Sequence, residues 1–146
     1  MDLKKKHAYK SILILAFLGM FCIGIVFLIS APSTPFSAYK IETTEDIAVF
    51  FSEMNFKIDV SNIESKTSII PNEFDQVFEE YNTLQQTQNC DLKNYAGKTV
   101  QIYTVPILNY GTTDHAVFAT IIVHNKKIIG GDIHSAELTG FMHTLR

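Results

Sequence analysis

The chain has 146 residues, and the 116 that follow residue 30 are enough for one domain with one core and too few for two. That part carries 8 basic and 14 acidic residues, a net charge of −6, because four lysines and one aspartate lie before residue 11. This acidic balance excludes nucleic acid, and it also argues against anionic polymers and anionic membrane surfaces as partners of the domain.

An uncharged apolar run at residues 11–30 follows a basic flank at residues 1–10. About 20 helical residues span the hydrocarbon core of a bilayer, so the run predicts a transmembrane helix that acts as a signal anchor. The alternatives are a cleaved signal peptide, for which the run is long, and a lipoprotein at Cys22, where Phe21 replaces the expected small residue. The positive-inside rule predicts a single-pass protein with a cytoplasmic N-terminus and its domain outside.

Residues 31–43 contain two prolines and predict a short, semi-extended tether to an extracytoplasmic domain over residues 44–146. Because Cys22 falls in the predicted membrane span, Cys90 has no disulfide partner within the domain. We interpret Cys90 as a buried small hydrophobe, or as an exposed thiol able to pair between chains.

The domain is predicted to start with a helix and two short strands. Thr43 and Thr44 are candidate N-caps, and Asn55 can end the helix in a left-handed conformation. The apolar stripe of this helix contains Ile47, Phe50, Phe51 and Met54. Alternation at residues 56–60 predicts a half-buried strand, and residues 65–70 predict another.

The strongest helix signal starts at Pro71, with Asn72 as the candidate cap, and ends near Gln88 or Asn89. Its predicted buried stripe contains Phe74, Val77, Phe78, Tyr81 and Leu84. Its predicted water-facing side contains Glu79, Glu80, Gln85 and Gln86. An aromatic stripe at helical spacing favours a core function over ligand binding.

Three segments rich in β-branched residues follow, at residues 99–108, 115–124 and 127–133. They predict an antiparallel meander whose second strand, apolar on both faces, is central and covered by a helix. The complete prediction is an N-terminal transmembrane helix and one α-β-β-α-β-β-β domain. This is an α+β fold in which two helices pack on an antiparallel sheet.

The C-terminal segment contains the residues with the most distinctive chemistry. Gly130 and Gly131 within a strand predict a β-bulge or a close backbone approach. Asp132 and His134 share a strand face, and with His143 they are weak candidates for a metal site. No further ligands stand at a recognisable spacing, so we predict no metal and no other cofactor.

Two other interpretations of Asp132 stay open. Its carboxylate can accept backbone N–H groups and cap the tail, or it can belong to a ligand or partner surface. No catalytic residue is predicted, because the sequence has no nucleophile elbow, paired-histidine helix or phosphate loop.

Six short motifs stand along the domain. They are residues 70–75 (Ile-Pro-Asn-Glu-Phe-Asp), 81–82 (Tyr-Asn) with Gln85, 91–98 (Asp-Leu-Lys-Asn-Tyr-Ala-Gly-Lys), 109–110 (Asn-Tyr), 129–132 (Ile-Gly-Gly-Asp) and 140–143 (Gly-Phe-Met-His). Over roughly residues 44–146 the chain resembles an uncharacterised domain-of-unknown-function family of bacterial proteins with a single N-terminal span. It departs from that family at Asn55 and Asn89, where a glycine is expected, although asparagine can also adopt a left-handed conformation.

The resemblance implies an anchored extracytoplasmic domain in a bacterial cell membrane and carries no activity. It also implies a surface shared by the family. That surface would contain Gly130, Gly131, Asp132, Gly140, Phe141, Met142 and His143.

The leading functional hypothesis is a non-enzymatic, membrane-anchored domain that binds a protein or a small ligand, because no catalytic constellation accompanies the core. One alternative is a metal-dependent enzyme, which requires Asp132, His134 and His143 to converge within about 4–5 Å. Another is a subunit of an envelope assembly, by analogy of fold.

Overall fold

The computed structural model describes residues 34–111, 116–137 and 139–146. The predicted basic flank, the predicted transmembrane helix at residues 11–30 and the first residues of the predicted tether lie outside this part. Within it, no helix combines the length and the apolar character needed to cross a membrane.

The compact unit is longer than the predicted domain and comprises Pro35–Arg146. Phe36 and Ile41, which the sequence assigns to the tether, are buried in a hydrophobic core. Lys40 forms an antiparallel bridge with Lys127 at the edge of the sheet. These residues are therefore part of the packed domain and do not serve as a spacer.

Within the described residues, the domain has two α-helices and one five-stranded antiparallel sheet, which confirms the α+β class. The helices are α1 (Thr44–Glu53) and α2 (Gln76–Thr87). The strands are β1 (Glu64–Ile69), β2 (Thr99–Pro106), β3 (Val117–His124), β4 (Lys127–Ser135) and β5 (Met142–His143). They pair in sequence order, so β3 is the central strand, as predicted.

The strand predicted at residues 56–60 is wrong. Ile58 makes one isolated bridge with Ile107, and the chain then forms a 3₁₀ turn, Val60–Asn62. The Asp59 carboxylate accepts the N–H of Ser61 at 3.0 Å, and such a local bond competes with a strand ladder. Because β5 adds a strand at the other end, the observed order is α-β-α-β-β-β-β.

Helix α1 follows its prediction because its signals are local. Thr43 Oγ1 accepts the N–H of Asp46 at 3.3 Å, and the Asp46 carboxylate accepts the N–H of Thr43 at 2.8 Å, a capping box. Asn55 after α1 and Asn89 after α2 both have φ of 63°, which confirms that asparagine takes the left-handed conformation at both positions.

Helix α2 begins three residues later than predicted, because its N-cap is Asp75 and not Asn72. The Asp75 carboxylate accepts a backbone N–H of the first turn at 2.8 Å. Upstream, Ile70 N donates to Lys98 O at 3.0 Å, and Gly97 N donates to Ile70 O at 2.8 Å. The segment after β1 is thus still bound to a turn, and the helix starts only once the chain has left it.

The predicted buried stripe of α2 is partly wrong. Val77 is 74% exposed, whereas Asn82 and Gln85 are almost completely buried. Asn82 accepts the N–H of Leu92 at 2.7 Å and donates to Asp91 at 3.0 Å, so its amide is paired inside the protein. The helix therefore turns two amides towards the domain and one valine towards water.

Each helix covers one face of the sheet. On the α1 face, the core contains Phe36, Ile41, Ile47, Phe50, Phe51, Cys90, Val105, Ile107, Val117, Ala119, Ile121, Val123, Ile128, Ile133 and Leu145. On the α2 face, it contains Ile70, Leu92, Val100, Ile122 and Ile129, with Phe74, Phe78, Tyr81, Tyr95 and Ile102 packed against them. On β3, Val117, Ala119, Ile121 and Val123 belong to the first cluster and Ile122 to the second, so the strand contributes to the core on both faces.

Candidate functional site

A groove of about 370 Å³ lies between α2 and the sheet, and we name it the α2 groove. Its lining residues are Lys66, Ser68, Ile69, Ile70, Phe78, Tyr81, Ile102, Thr104, Thr120, Ile122, Asp132, His134 and Met142. The walls are mainly apolar, and the floor is a short row of polar side chains. This combination is typical of small-molecule sites.

The polar floor follows from strand register. Glu64, Thr104, Thr120 and Asp132 stand opposite one another on β1, β2, β3 and β4, so their side chains share one face of the sheet. The hydroxyl oxygens of Thr104 and Thr120 are 3.4 Å apart. The row ends at Asp132, the most deeply buried of the four.

Asp132 is held by two side chains. Tyr81 Oη donates to Asp132 Oδ2 at 2.7 Å, and His134 Nδ1 lies 2.8 Å from Oδ1. The Asp132 side chain is only 4% exposed. The interpretation of Asp132 as a cap for backbone N–H groups is therefore wrong, because its partners in the described part of the chain are both side chains.

His134 is oriented by its neighbours. A carboxylate only accepts hydrogen bonds, so Nδ1 carries the proton that it shares with Asp132, and Nε2 is left to interact with a ligand. The ring stacks on Phe118 with a centroid separation of 6.0 Å. The prediction that Asp132 and His134 share a strand face is confirmed.

Tyr81 reaches the site from α2. Burial raises the pKa of Tyr81, and the negative charge of Asp132 raises it further. The phenol therefore stays protonated at neutral pH and acts as a permanent donor to Asp132. Helical spacing predicts only that Tyr81 belongs to a buried stripe, because spacing alone does not reveal that its hydroxyl has a buried acceptor.

The two glycines of β4 leave room for different neighbours: Gly130 lets Gln85 of α2 approach β4, and Gly131 lets the backbone of β3 approach closely, which is one of the two predicted alternatives. A Cβ on Gly130 would lie 2.9 Å from Gln85 Oε1, and one on Gly131 would lie 2.4 Å from the carbonyl oxygen of Thr120. The second alternative is also observed, because the β3–β4 register shifts beside Gly130, leaving Ile129 as a bulge.

Two glutamines use this close approach. Gln85 Oε1 accepts the N–H of Gly131 at 2.8 Å, and Gln88 Nε2 donates to the carbonyl of Gly131 at 2.6 Å. Strand β5 pairs with β4 only at residues 133 and 134, so the edge of β4 at Gly131 has no neighbouring strand. The two side-chain amides form the hydrogen bonds that such a strand would form. Gln85 was predicted to face water, and this prediction is wrong, because the residue is buried and its amide oxygen binds the backbone of Gly131.

The C-terminal motif lies elsewhere. His143 pairs with Ile133 across β4 and β5, so its side chain projects from the face opposite to Asp132 and His134. His143 Nδ1 lies 2.7 Å from the carbonyl oxygen of Thr144, and Nε2 bonds to the hydroxyl of Tyr110. The three side chains required for the metal-dependent enzyme therefore do not converge.

The remaining members of the predicted family surface are divided between the two faces. Met142 pairs with His134 and lines the α2 groove, while Phe141 stacks on Tyr110 at 5.4 Å on the other side. Gly140 packs against Ser135, whose hydroxyl oxygen would be 1.6 Å from a Cβ. The described residues contain no group of three His, Cys, Asp or Glu side chains able to hold a metal ion.

An apolar patch continues the groove along the outer side of α2. It is lined by Val77, Phe78, Glu80, Tyr81, Leu84 and Met142. Met142 is 51% exposed and contributes to both sites. The site as a whole therefore changes from polar at Asp132 to apolar at Val77.

One comparison identifies the family. The model of a domain of unknown function, DUF4830, matches residues 50–133, more than half of the chain. The chain belongs to the DUF4830 family. No curated protein and no solved structure matches it.

The DUF4830 match covers Tyr81 and the Gly130–Asp132 motif but ends before His134 and the motif at residues 140–143. It is thus shorter than the resemblance drawn from the sequence, which extends over roughly residues 44–146. The buried carboxylate and its tyrosine donor lie within the family domain. His134, which completes the site, lies one residue beyond the match.

Proposed function

We propose that this DUF4830 domain binds a small ligand in the α2 groove and is held at the outer face of a bacterial membrane by residues 11–30. The observation that carries the binding proposal is the buried Asp132 carboxylate at the floor of an otherwise apolar groove. A buried charge is costly and is retained where it has partners and a use.

Three features favour a small ligand over a protein partner. The groove has a volume of about 370 Å³, which lies in the usual range for small-molecule sites. Its polar groups converge from three elements, with Tyr81 on α2, Thr120 on β3 and Asp132 on β4. Both Tyr81 and His134 are positioned by bonds to Asp132, so the site is organised before a ligand arrives.

Saturation-transfer NMR with the full chain in lipid nanodiscs tests this proposal. A library of water-soluble fragments that spans cations, anions and neutral compounds serves as the probe, and empty nanodiscs reveal partition into lipid. Met142→Ser removes an apolar wall of the groove, and Leu108→Ser is its matched control, because Leu108 is 65% exposed outside the groove. We expect hits that Met142→Ser weakens and Leu108→Ser does not.

The same experiment can refute the proposal. If no fragment binds, or if both variants weaken binding equally, the α2 groove is not a ligand site. Met142 is half exposed, so its replacement by serine is not expected to unfold the domain.

The membrane location rests on the uncharged run at residues 11–30 and its lysine flank. Labelling of intact cells with an impermeant maleimide tests it in chains that carry Cys22→Ser and one new cysteine. Glu73→Cys should react in intact cells, and Lys5→Cys only after lysis. Burial raises the pKa of the Cys90 thiol to about 11, so its background reaction should be slow. Reaction of Lys5→Cys in intact cells would refute the orientation.

A further inference from the structure

The charge on the floor of the α2 groove has no fixed counterion. In the part of the chain that the structure describes, no lysine or arginine pairs with Asp132. Its two partners are a phenol and an imidazole, and both donate hydrogen bonds without needing a net charge. The site is therefore built around an anion that a ligand could neutralise.

The other charged groups near the groove do not supply that neutralisation. Lys66 lies on β1, three strands from Asp132 on β4, which corresponds to about 14 Å at the usual strand spacing. Glu80 lies in the outer apolar patch beside Tyr81 and adds negative charge, whereas Glu64 lies on β1 with Lys66, at the other end of the polar row. The end of the groove that contains Asp132 is thus the acidic end.

The carboxylate also keeps capacity for more hydrogen bonds. An ionised carboxylate offers about four acceptor sites, and Tyr81 and His134 occupy two of them. Thr120 stands directly across from Asp132 and adds a hydroxyl that can accept or donate. An ammonium group has three donors and no acceptor, so it matches this set of acceptors.

The walls define the rest of the ligand. Phe78, Ile122 and Met142 line the groove beside Asp132, and the apolar patch on α2 extends from them. We infer that the α2 groove takes a small ligand in which a protonated amine adjoins an apolar group, with the amine on Asp132 and the apolar group between Phe78 and Met142. This inference rests on the proposed ligand-binding function and adds the charge and polarity of the ligand.

Three nearly isosteric probes separate charge from shape: 2-phenylethylammonium, 3-phenylpropionate and 2-phenylethanol. The full chain, labelled with ¹³C at the methionine methyl groups and placed in lipid nanodiscs, is titrated with each probe at pH 7.5. Met142 reports on the α2 groove, and Met54 packs against the core on the opposite face and serves as the internal reference. We expect the cation to shift Met142 alone, with a dissociation constant of about 1 mM, in keeping with its few heavy atoms.

The expected preference is at least about tenfold for the cation over both other probes, the change that one charge-assisted hydrogen bond of about 1.4 kcal/mol produces. Asp132→Asn should reduce that preference to less than about threefold. Glu64→Gln is the matched control, because it removes an exposed carboxylate from the other end of the same polar row, and it should leave the preference unchanged.

The outcomes distinguish the inference from the proposed function. If no probe shifts Met142, both fail. If the anion or the alcohol binds as tightly as the cation, or if Asp132→Asn keeps the full preference, the groove binds ligands but the inference about charge is overturned. Should Asp132→Asn fail to fold, the preference measured on the unsubstituted chain decides.

Discussion

Replacement of Tyr81 by phenylalanine isolates the bond that joins α2 to the buried carboxylate. Tyr81→Phe removes one oxygen, and the ring keeps its packing against Phe78, whose centroid is 6.2 Å away. The lost bond is an O–H donor to a carboxylate at 2.7 Å. Since hydrogen bonds to charged groups contribute about 1.5–3 kcal/mol, we expect the free energy of unfolding to fall by that amount.

The lower part of this range is the better expectation, because the Asp132 carboxylate lines an open groove from which water can replace the lost donor, and it keeps its bond to His134 at 2.8 Å. Urea unfolding of a fragment of residues 35–146, followed by circular dichroism, measures the loss. With a denaturant slope of about 1.5 kcal/mol/M, a loss of about 1.5 kcal/mol moves the midpoint by about 1 M.

Two controls separate the hydrogen bond from other effects. Tyr103→Phe removes a phenol that has no hydrogen-bond partner among the described residues, and its cost should stay within about 0.5 kcal/mol. In an Asp132→Asn background, Tyr81→Phe should cost at least about 1 kcal/mol less than in the unsubstituted protein. A cost below about 0.5 kcal/mol, or an equal cost in both backgrounds, would refute the charge-assisted bond.

Three further substitutions test the packing and the charges around the site. Gly131→Ala should cost about 1–3 kcal/mol in urea unfolding, since its Cβ would meet the carbonyl oxygen of Thr120 at 2.4 Å, and an unchanged midpoint would contradict this packing. Phe51→Ala, at a fully buried position, should cost about 3–5 kcal/mol in the same assay, and a loss below about 1 kcal/mol would contradict its burial. The Asn82 amide lowers the pKa of Asp91 from its ordinary 3.8, so the contribution of Asp91 to stability is complete above about pH 3.8 and is lost as the pH falls through the folded-state pKa. Asp91→Asn should therefore weaken the decline of the unfolding midpoint between about pH 4 and pH 2, and an unchanged decline would contradict the assignment.

Local signals explain which helix boundaries could be predicted. The start and end of α1 depend on Thr43, Asp46 and Asn55, which lie within a dozen residues of one another. The start of α2 depends on a contact between Ile70 and the turn at residues 97–98, which no local pattern contains. The observed cap at Asp75, three residues after the predicted Asn72, could therefore not be identified from the local sequence.

The buried side of α2 could not be predicted from hydrophobicity. Val77 has the right spacing for a core stripe and is exposed, while Gln85 has the composition of a surface residue and is buried. Periodicity measures how apolar a face is, whereas Gln85 is buried because its amide satisfies the backbone of Gly131. A polar residue that replaces a missing strand has no signature in a single sequence.

The candidate site could likewise be predicted only in part. That Asp132 and His134 share a face follows from the two-residue period of a strand and could be predicted. The position of His143 depends on the register of β5, a strand of two residues, and one step in register moves a side chain to the other face. The prediction of one site for Asp132, His134 and His143 therefore failed, because His143 lies on the opposite face of the sheet.

The Gly-Gly-Asp motif is best understood as one unit with α2. Tyr81, Gln85 and Gln88 follow the i, i+4, i+7 spacing of one helical face, and all three bond to Gly131 or Asp132 of β4. Without a side chain at residue 130, the helix can approach near enough for its glutamines to reach the backbone of Gly131. The same approach brings the Tyr81 hydroxyl to the carboxylate. Closing the edge of β4 and assembling the floor of the α2 groove are consequently one packing event, and a substitution that displaces α2 from Gly131 should also release Asp132 from Tyr81.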